Sequence, residues 1–355
     1  MAELTRRDFG KAALLSGMLA AASRSVPALG APSQAASDER LLATVNPELR
    51  RFARPMLAWR TGPPLPENYR NVRRQSAVPP PPLPGIPVAK HTIPVSARVP
   101  AVTIYVINAG GKDRPAILHT HGGGFVMGSA ASEIPGKQAM ARELDCVIVT
   151  VEYTLAPEAT YAVSTAQNYA ALKWLHANAA ELGVDRARIA VMGESAGGGL
   201  AALLAIAARD RGEVPVAFQC LVYPMLDDRT GSTRMPPWPI GQLAWDAPAN
   251  RFGWRSFLGR APGTAGVPAA AVPARTASLR GLPPAFIGVG SIDLFVDEDI
   301  AYAKRLIDAG IPTELTIVPG AFHGFDGAGA STSIGKQFTR AKMNALRRAF
   351  GQTPA

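Results

Sequence analysis

Cysteine is nearly absent from this chain: only two of its 355 residues are cysteines, Cys146 and Cys220. Both lie inside apolar runs that are typical of buried strands. Two cysteines in such runs exclude a disulfide framework as the main support of the fold. Because 47% of the residues are hydrophobic, we expect a globular protein with a sizeable core instead.

Charged residues are also scarce, at 18% of the chain, although the formal net charge is +10. Lysine and arginine are scattered along the sequence and form no runs interleaved with aromatic residues. A nucleic-acid groove would need such runs, so we expect no nucleic-acid partner. The basic excess is typical of solvated faces, and a weak attraction to anionic envelope surfaces is the alternative.

The N-terminal region lacks an apolar run long enough to span a bilayer. Its apolar part, residues 12–22, is too short for a stable membrane anchor. It follows the stretch TRRDFGK at 5–11 and leads to the small residues at 28–30. These are the three regions of a secretory signal, and the paired arginines resemble a twin-arginine export signal. We therefore predict a signal peptide over residues 1–30 and a periplasmic or secreted protein; the alternative is a basic amphipathic start to a cytoplasmic protein.

Proline is concentrated in one stretch, VPPPPLPGIP at 78–87. Such a run can form neither a helix nor a central strand, so it predicts a stiff extended connector, with a docking segment for another protein as the alternative. Residues 38–77 before it look helical in part. We assign residues 31–87 to an N-terminal segment with its connector and residues 88–355 to one large domain.

Short apolar segments alternate with helix-length segments through most of this domain. The eight predicted strands are VAKHTIPVSA (88–97), VTIYVI (102–107), PAILHTHGG (115–123), CVIVTVEY (146–153), RIAVMGES (188–195), FQCLVYP (218–224), PAFIGVGS (284–291) and TELTIVPG (313–320). This alternation predicts an α/β fold with a mostly parallel sheet and helices on both faces. Residues 225–275 break it with several aromatic residues and no clear strand. These aromatic residues form either a lid over an apolar pocket or a small core of their own.

Ser195 lies between Gly193 and Gly197 in a G-x-S-x-G pattern. The apolar strand RIAVMG precedes it, and the helix-like GGGLAALLAIAARD follows it. A glycine-flanked turn from strand to helix exposes the serine oxygen, so this context predicts a nucleophile. A serine hydroxyl still needs a base to take its proton.

A histidine and an acid follow Ser195 in the order expected for such a turn. Of the five histidines only His323 comes after the serine, and it directly follows the last predicted strand. Asp293 is in the turn after the preceding strand, and we predict that it orients His323. Asp297 is the reserve candidate. It and Glu298 lie where the next helix begins, and acidic residues are favoured there because they cap the helix and interact with its dipole.

Three glycines, Gly122–Gly124, come directly after the third predicted strand in LHTHGGGFVMGS. Backbone N–H groups without side chains nearby can approach the developing oxyanion of a tetrahedral intermediate. This feature is independent of Ser195 and favours the same acyl-transfer chemistry.

These residues resemble those of the hormone-sensitive-lipase-like group of α/β-hydrolases, the bacterial family IV esterases. The motifs that carry the resemblance, in family order, are HGGGFVMGS (121–129), VEYTLAPE (151–158), GESAGGG (193–199), RFGWRSFLG (251–259), SIDLFVDE (291–298) and PGAFHGF (319–325). The resemblance covers residues 40–348 and implies an eight-stranded sheet and no cofactor. It also implies a helical cap built from the N-terminal segment 31–87 and an insertion at about 225–265. The implied activity is hydrolysis of short- or medium-chain acyl esters.

The resemblance also implies the role of each site residue. The implied triad is Ser195, Asp293 and His323, and the implied oxyanion donors are Gly123, Gly124 and the backbone of Ala196. In the family's strand order, two strands separate those of the cysteines, which predicts free thiols about 14 Å apart.

The chain departs from the family pattern at three places. Glu194 replaces the more usual aspartate, and we expect it to support the site without taking part in the chemistry. Leu294 replaces a usual proline after the triad acid, and EATYAV at 158–163 replaces a proline-rich end. The leucine could alter the loop that holds Asp293, and the second change could alter the pocket rim.

Two cofactor-dependent functions compete with this interpretation. A dinucleotide oxidoreductase, suggested by the export signal, needs a third glycine at position 127, which is Met127. A metal site could use His119 and His121, which share a strand face, but the sequence places no third ligand beside them. We therefore expect neither a cofactor nor a metal.

A binding protein without catalytic activity could also use this fold. Such proteins usually lose a triad member, and this chain has all three. Among ester substrates, acetylated carbohydrates, lactones and amides remain alternatives to simple acyl esters, and the oligomeric state cannot be read from the sequence.

Overall fold

A computed structural model describes residues 33–75 and 78–354. The predicted signal peptide, residues 1–30, lies outside the described residues. The eight strands are β1 (Val88–Ile93), β2 (Val102–Ile107), β3 (Arg114–Thr120), β4 (Val147–Glu152), β5 (Val184–Glu194), β6 (Phe218–Val222), β7 (Ala285–Gly290) and β8 (Thr313–Val318). Each corresponds to one strand predicted from the sequence. The first ends earlier than expected, because Pro94 has no N–H to continue the ladder.

All eight strands join one sheet in the order β1-β2-β4-β3-β5-β6-β7-β8. The β1–β2 and β2–β4 pairs are antiparallel, and the other pairs are parallel. The predicted eight-stranded, mostly parallel sheet is therefore confirmed. Its parallel strands all end at one edge, which brings together the loops after β3, β5, β7 and β8.

Helices cover both faces of the sheet. The α-helices are α1 (Gln34–Thr44), α2 (Arg50–Met56), α3 (Leu65–Gln75), α4 (Ala130–Glu143), α5 (Tyr161–Ala177), α6 (Ala179–Leu182), α7 (Ala196–Arg211), α8 (Ala247–Leu258), α9 (Val296–Asp308), α10 (Phe325–Ala328) and α11 (Ser333–Ala349). Neighbouring residues of β3 enter different cores, Ile117 on one face and Leu118 on the other. Burial on both faces explains why these strands are continuously apolar.

The segment that interrupts the alternation contains α8, and its aromatic residues do not form a separate core. Trp254 and Phe257 are fully buried in the main core. Their rings contact Phe125, at centroid distances of 5.1 and 3.9 Å. Tyr69 of α3 packs against Phe252 of α8 at 5.2 Å. Helices α3 and α8 therefore pack together, and α8 contacts the loop that follows β3.

The proline-rich segment precedes the sheet, and the two cysteines are buried. Residues 78–87 form neither helix nor strand. Cys146 directly precedes β4 and Cys220 lies on β6, so β3 and β5 separate them, and both are buried free thiols. Within the described ranges, no helix combines the length and apolarity needed to cross a membrane.

Candidate active site

Ser195 occupies the sharp turn between β5 and α7. Its backbone has φ +57° and ψ −123°, a conformation that is unusual for a residue with a side chain. The Ser195 N–H donates to the carbonyl of Val222 at 2.9 Å. Its own carbonyl accepts from Gly199 at 3.0 Å and from Met225 at 2.9 Å. Bonds to β6, α7 and the loop after β6 thus hold the strained turn that carries the Ser195 hydroxyl.

The two glycines of the motif are required by close backbone contacts. A methyl group on Gly197 would lie 2.0 Å from the carbonyl oxygen of Thr120, and one on Gly193 would lie 2.2 Å from that of Gly197. Neither glycine has a positive φ. The strained conformation therefore belongs to Ser195 itself, and the glycines let the strands and the helix approach it.

His323 lies after β8 and faces the serine. Its Nε2 is 2.9 Å from Ser195 Oγ. Two aromatic rings pack edge-on against the imidazole: Tyr223, at a centroid distance of 4.8 Å, and Phe295, at 5.1 Å. The imidazole is thus held between rings from the loops after β6 and β7.

Asp293 lies in the loop after β7 and is completely buried. Its Oδ2 is 2.8 Å from Nδ1 of His323, and its Oδ1 accepts the N–H of Phe295 at 3.0 Å. This arrangement keeps the imidazole proton on Nδ1 and leaves the Nε2 lone pair facing the serine hydroxyl. The reserve candidate Asp297 is exposed in the first turn of α9, while Glu298 accepts backbone N–H groups of the loop after β6.

The glycine loop lies beside Ser195. A methyl group on Gly122 would be 3.5 Å from Cβ of Ser195. Gly123 and Gly124 have φ of +116° and +59°, values that favour glycine. Within the described parts of the chain, the N–H groups of Gly123, Gly124 and Ala196 donate to no backbone or side-chain acceptor. They are available to a ligand at Ser195.

Glu194 is held in a buried polar network behind the turn. Its Oε1 accepts from Lys137 Nζ at 2.7 Å, and its Oε2 accepts from His119 Nε2 at 2.7 Å. The other His119 nitrogen, Nδ1, lies 2.8 Å from the hydroxyl of Thr150. Burial opposes the charge on Glu194, but Lys137 and His119 outweigh it and hold its pKa well below the usual value. The carboxylate therefore stays ionised, bonded away from the reacting hydroxyl.

His119 and His121 both have roles inside the protein. Burial lowers the His119 pKa, so the ring is neutral and its Nε2–H donates to Glu194. His121 donates from Nδ1 to the Gly122 carbonyl at 2.8 Å and stacks on Tyr153 at 4.3 Å. Burial lowers the His121 pKa to about 4. Among the described residues, no group of three or more histidine, cysteine or carboxylate side chains is placed to hold a metal ion.

Several residues around the site were missed by the sequence analysis. The Tyr223 hydroxyl donates to Asp326 Oδ1 at 2.7 Å, and Lys342 lies 3.2 Å from the other oxygen. Burial raises the Tyr223 pKa well above its usual value, so the hydroxyl stays a donor. Tyr223 directly follows β6 at the active edge of the sheet, and that position was a usable signal. Lys137 had no comparable signal, because it lies in the middle of α4.

The chain is similar to known proteins over most of its length. A sequence profile described as alpha/beta hydrolase fold matches residues 117–327. Carboxylesterase NlhH of Mycobacterium tuberculosis is 34% identical over 290 residues, covering 78% of this chain and 87% of the relative. Esterase LipI of the same species is 34% identical over 242 residues, covering 66% and 73%. A solved structure of a bacterial heroin esterase has a TM-score of 0.77 at 35% identity, covering 87% of this chain and 99% of that one.

Proposed function

This chain belongs to the α/β-hydrolase fold family and is a carboxylic ester hydrolase, and we propose that it cleaves short- to medium-chain acyl esters with Ser195 as nucleophile. One observation carries the proposal: the unbroken chain of hydrogen bonds from Asp293 through His323 to Ser195, with lengths of 2.8 and 2.9 Å. Such a chain activates a serine hydroxyl that would otherwise be a poor nucleophile.

In the first half of the reaction, Ser195 Oγ attacks the ester carbonyl carbon while Nε2 of His323 takes the hydroxyl proton. The carbonyl oxygen becomes an oxyanion, which accepts hydrogen bonds from the N–H groups of Gly123, Gly124 and Ala196. His323 then gives its proton to the alkoxy oxygen, the carbon–oxygen bond breaks and the alcohol leaves. The acyl group remains as an ester on Ser195.

In the second half, His323 takes a proton from water as the water oxygen attacks the acyl-enzyme. The second tetrahedral intermediate collapses, Ser195 recovers its proton from His323, and the carboxylic acid leaves. The Asp293 carboxylate accepts the hydrogen bond from Nδ1 and stabilises the imidazolium that forms in each half. Its complete burial and its bond to Phe295 N–H keep it in position.

The test of the nucleophile is Ser195→Ala, assayed with p-nitrophenyl butyrate. We expect kcat to fall by at least roughly 10⁴-fold, because no other hydroxyl can form the acyl-enzyme. The matched control is Ser278→Ala, an exposed serine whose removal should leave kcat unchanged. Turnover near the wild-type rate in a Ser195→Ala variant with a native circular dichroism spectrum would refute the assignment.

We also propose that the protein is exported by the twin-arginine route to the periplasm or beyond. The support is the paired arginines Arg6 and Arg7 before a short apolar segment that ends in small residues. Changing both arginines to lysine should retain the esterase activity in the cytoplasmic fraction. Unchanged export of that variant would indicate a different route.

A further inference from the structure

Trp245, which directly precedes α8, lies against the loop proposed to bind the oxyanion. A methyl group on Gly124 would be 2.2 Å from Cη2 and 2.6 Å from Cζ2 of the indole. The six-membered ring therefore touches the backbone of this glycine. Gly122, two residues earlier, packs against Ser195, so Ser195 and the Trp245 ring contact the same glycine loop.

The indole is fixed at both ends. Its Nε1 donates to Oδ1 of Asn250 at 3.1 Å, and the Asn250 amide donates to the Thr230 carbonyl at 2.8 Å. Asn250 is completely buried, and Trp245 is only 6% exposed. A ring hydrogen-bonded at one edge and packed on backbone at the other forms a rigid wall.

The proposed chemistry sets the direction in which the acyl chain leaves Ser195. The alkoxy oxygen must face Nε2 of His323, which protonates it, and the oxyanion must face the N–H groups of the glycine loop. The remaining substituent, the acyl chain, then points away from His323. Trp245 is a large side chain that contacts the glycine loop at Gly124.

We propose that Trp245 closes the acyl pocket and restricts this enzyme to short acyl chains, an inference that rests on the ester hydrolysis proposed above. The residue after it, Asp246, lines a cavity of about 250 Å³ together with Gly241 and Leu294. Leu294 in turn follows Asp293, so the cavity reaches the loop of the proposed triad acid. Truncating the indole opens the acyl side of the site toward this space. The site then accommodates longer acyl chains.

The experiment compares kcat/KM for p-nitrophenyl esters from acetate to decanoate. Wild-type activity should be highest between acetate and butyrate. Trp245→Ala should raise the ratio of octanoate to butyrate kcat/KM by at least about tenfold, since each methylene that fits or clashes changes kcat/KM by about that factor or more. Trp245→Phe should change the ratio in the same direction by a smaller factor.

Trp238→Ala is the matched control, because this tryptophan is 46% exposed and lies under the guanidinium of Arg40. It should leave the octanoate-to-butyrate ratio unchanged. Melting curves establish whether each variant is folded. If Trp245→Ala does not fold, the octanoate-to-butyrate ratio of Trp245→Phe is the test. An unchanged ratio in a folded Trp245 variant overturns the role of Trp245 while ester hydrolysis stands. Absence of turnover with every ester in the wild-type protein would instead contradict the proposed function.

Discussion

Glu194 is the charged residue next to Ser195, and both of its carboxylate oxygens are already bonded. Lys137 and His119 hold them at 2.7 Å each. The Ser195 backbone is fixed by separate bonds to Val222, Gly199 and Met225. Glu194 therefore contributes to the stability of the turn more than to the chemistry of the hydroxyl.

Glu194→Gln should lower the free energy of unfolding at pH 7 by about 3 kcal/mol, because it leaves the buried Lys137 ammonium without its main partner. The native pKa of Glu194 is depressed, so the ionised carboxylate stabilises the fold above its unfolded pKa of about 4.3. This contribution is lost as the pH falls through the native pKa. Urea unfolding across pH should show the wild-type advantage shrinking below about pH 4.3.

Glu133→Gln is the control for this measurement. Glu133 lies 3.8 Å from the same Lys137 ammonium, but its side chain is 43% exposed. Its loss should change the free energy of unfolding by no more than about 0.5 kcal/mol. Equal effects of the two substitutions, or no pH dependence for Glu194→Gln, would contradict the account of the network.

Sequence analysis could select a site residue where two conditions were met. Its side chain had to be suited to acyl-transfer chemistry, and it had to lie directly after a predicted strand. Ser195, Asp293 and His323 each meet both conditions, and their order along the chain left few alternatives. Lys137 and Trp245 meet neither condition, and the residues that they contact, Glu194 and Gly124, are far from them in the sequence. Such contacts between distant elements depend on how side chains pack in the folded protein. The residues adjacent in the sequence do not reveal this packing.

At the scale of elements, α3 is joined to the loops of the site through one side chain. The Arg73 guanidinium donates to the carbonyl oxygens of Val126 at 2.5 Å and Ala156 at 2.6 Å. It also makes a bidentate ion pair with Glu158, at 2.8 and 3.0 Å. Val126 follows the glycine loop, so Arg73 links α3 to the loop that we propose binds the oxyanion.

Arg73→Met should lower the free energy of unfolding by about 1–3 kcal/mol, because two backbone carbonyls lose a charged donor. The KM for p-nitrophenyl butyrate should rise, since the loop after β3 loses its tie to α3. Thermal melting and steady-state kinetics measure the two effects. Arg74→Met, at an exposed neighbour bonded to Asn71 within α3, should change neither, and wild-type behaviour of Arg73→Met would refute the link.

The centre of the sheet was predictable because β3, β4, β6 and β7 are buried on both faces and are therefore largely apolar. The segment around α8 was not, since its fully buried Trp254 and Phe257 complete a core built from other elements. From sequence alone these residues looked like a lid or an independent cluster. Only the position of Phe125 in the folded chain shows what they pack against.

For the molecule as a whole, the two cysteines predict an absence of redox sensitivity. Burial raises the pKa of Cys146 and of Cys220 to about 12, so neither forms a thiolate at neutral pH. A thiol reagent such as DTNB should label no cysteine in the native protein and two in guanidinium chloride. The melting temperature should be the same with and without dithiothreitol, and rapid labelling of the native protein would contradict the buried positions.

The hydrogen bond between Ser195 and His323 joins residues 128 positions apart. This has a consequence for the chain during its synthesis. A nascent chain that ends at Val318 contains all eight strands and the proposed nucleophile, yet it lacks His323, the proposed base. By the proposed mechanism, ester hydrolysis therefore begins only after His323 has left the ribosome and folded onto the sheet, and a chain that lacks His323 cannot cleave esters in this way.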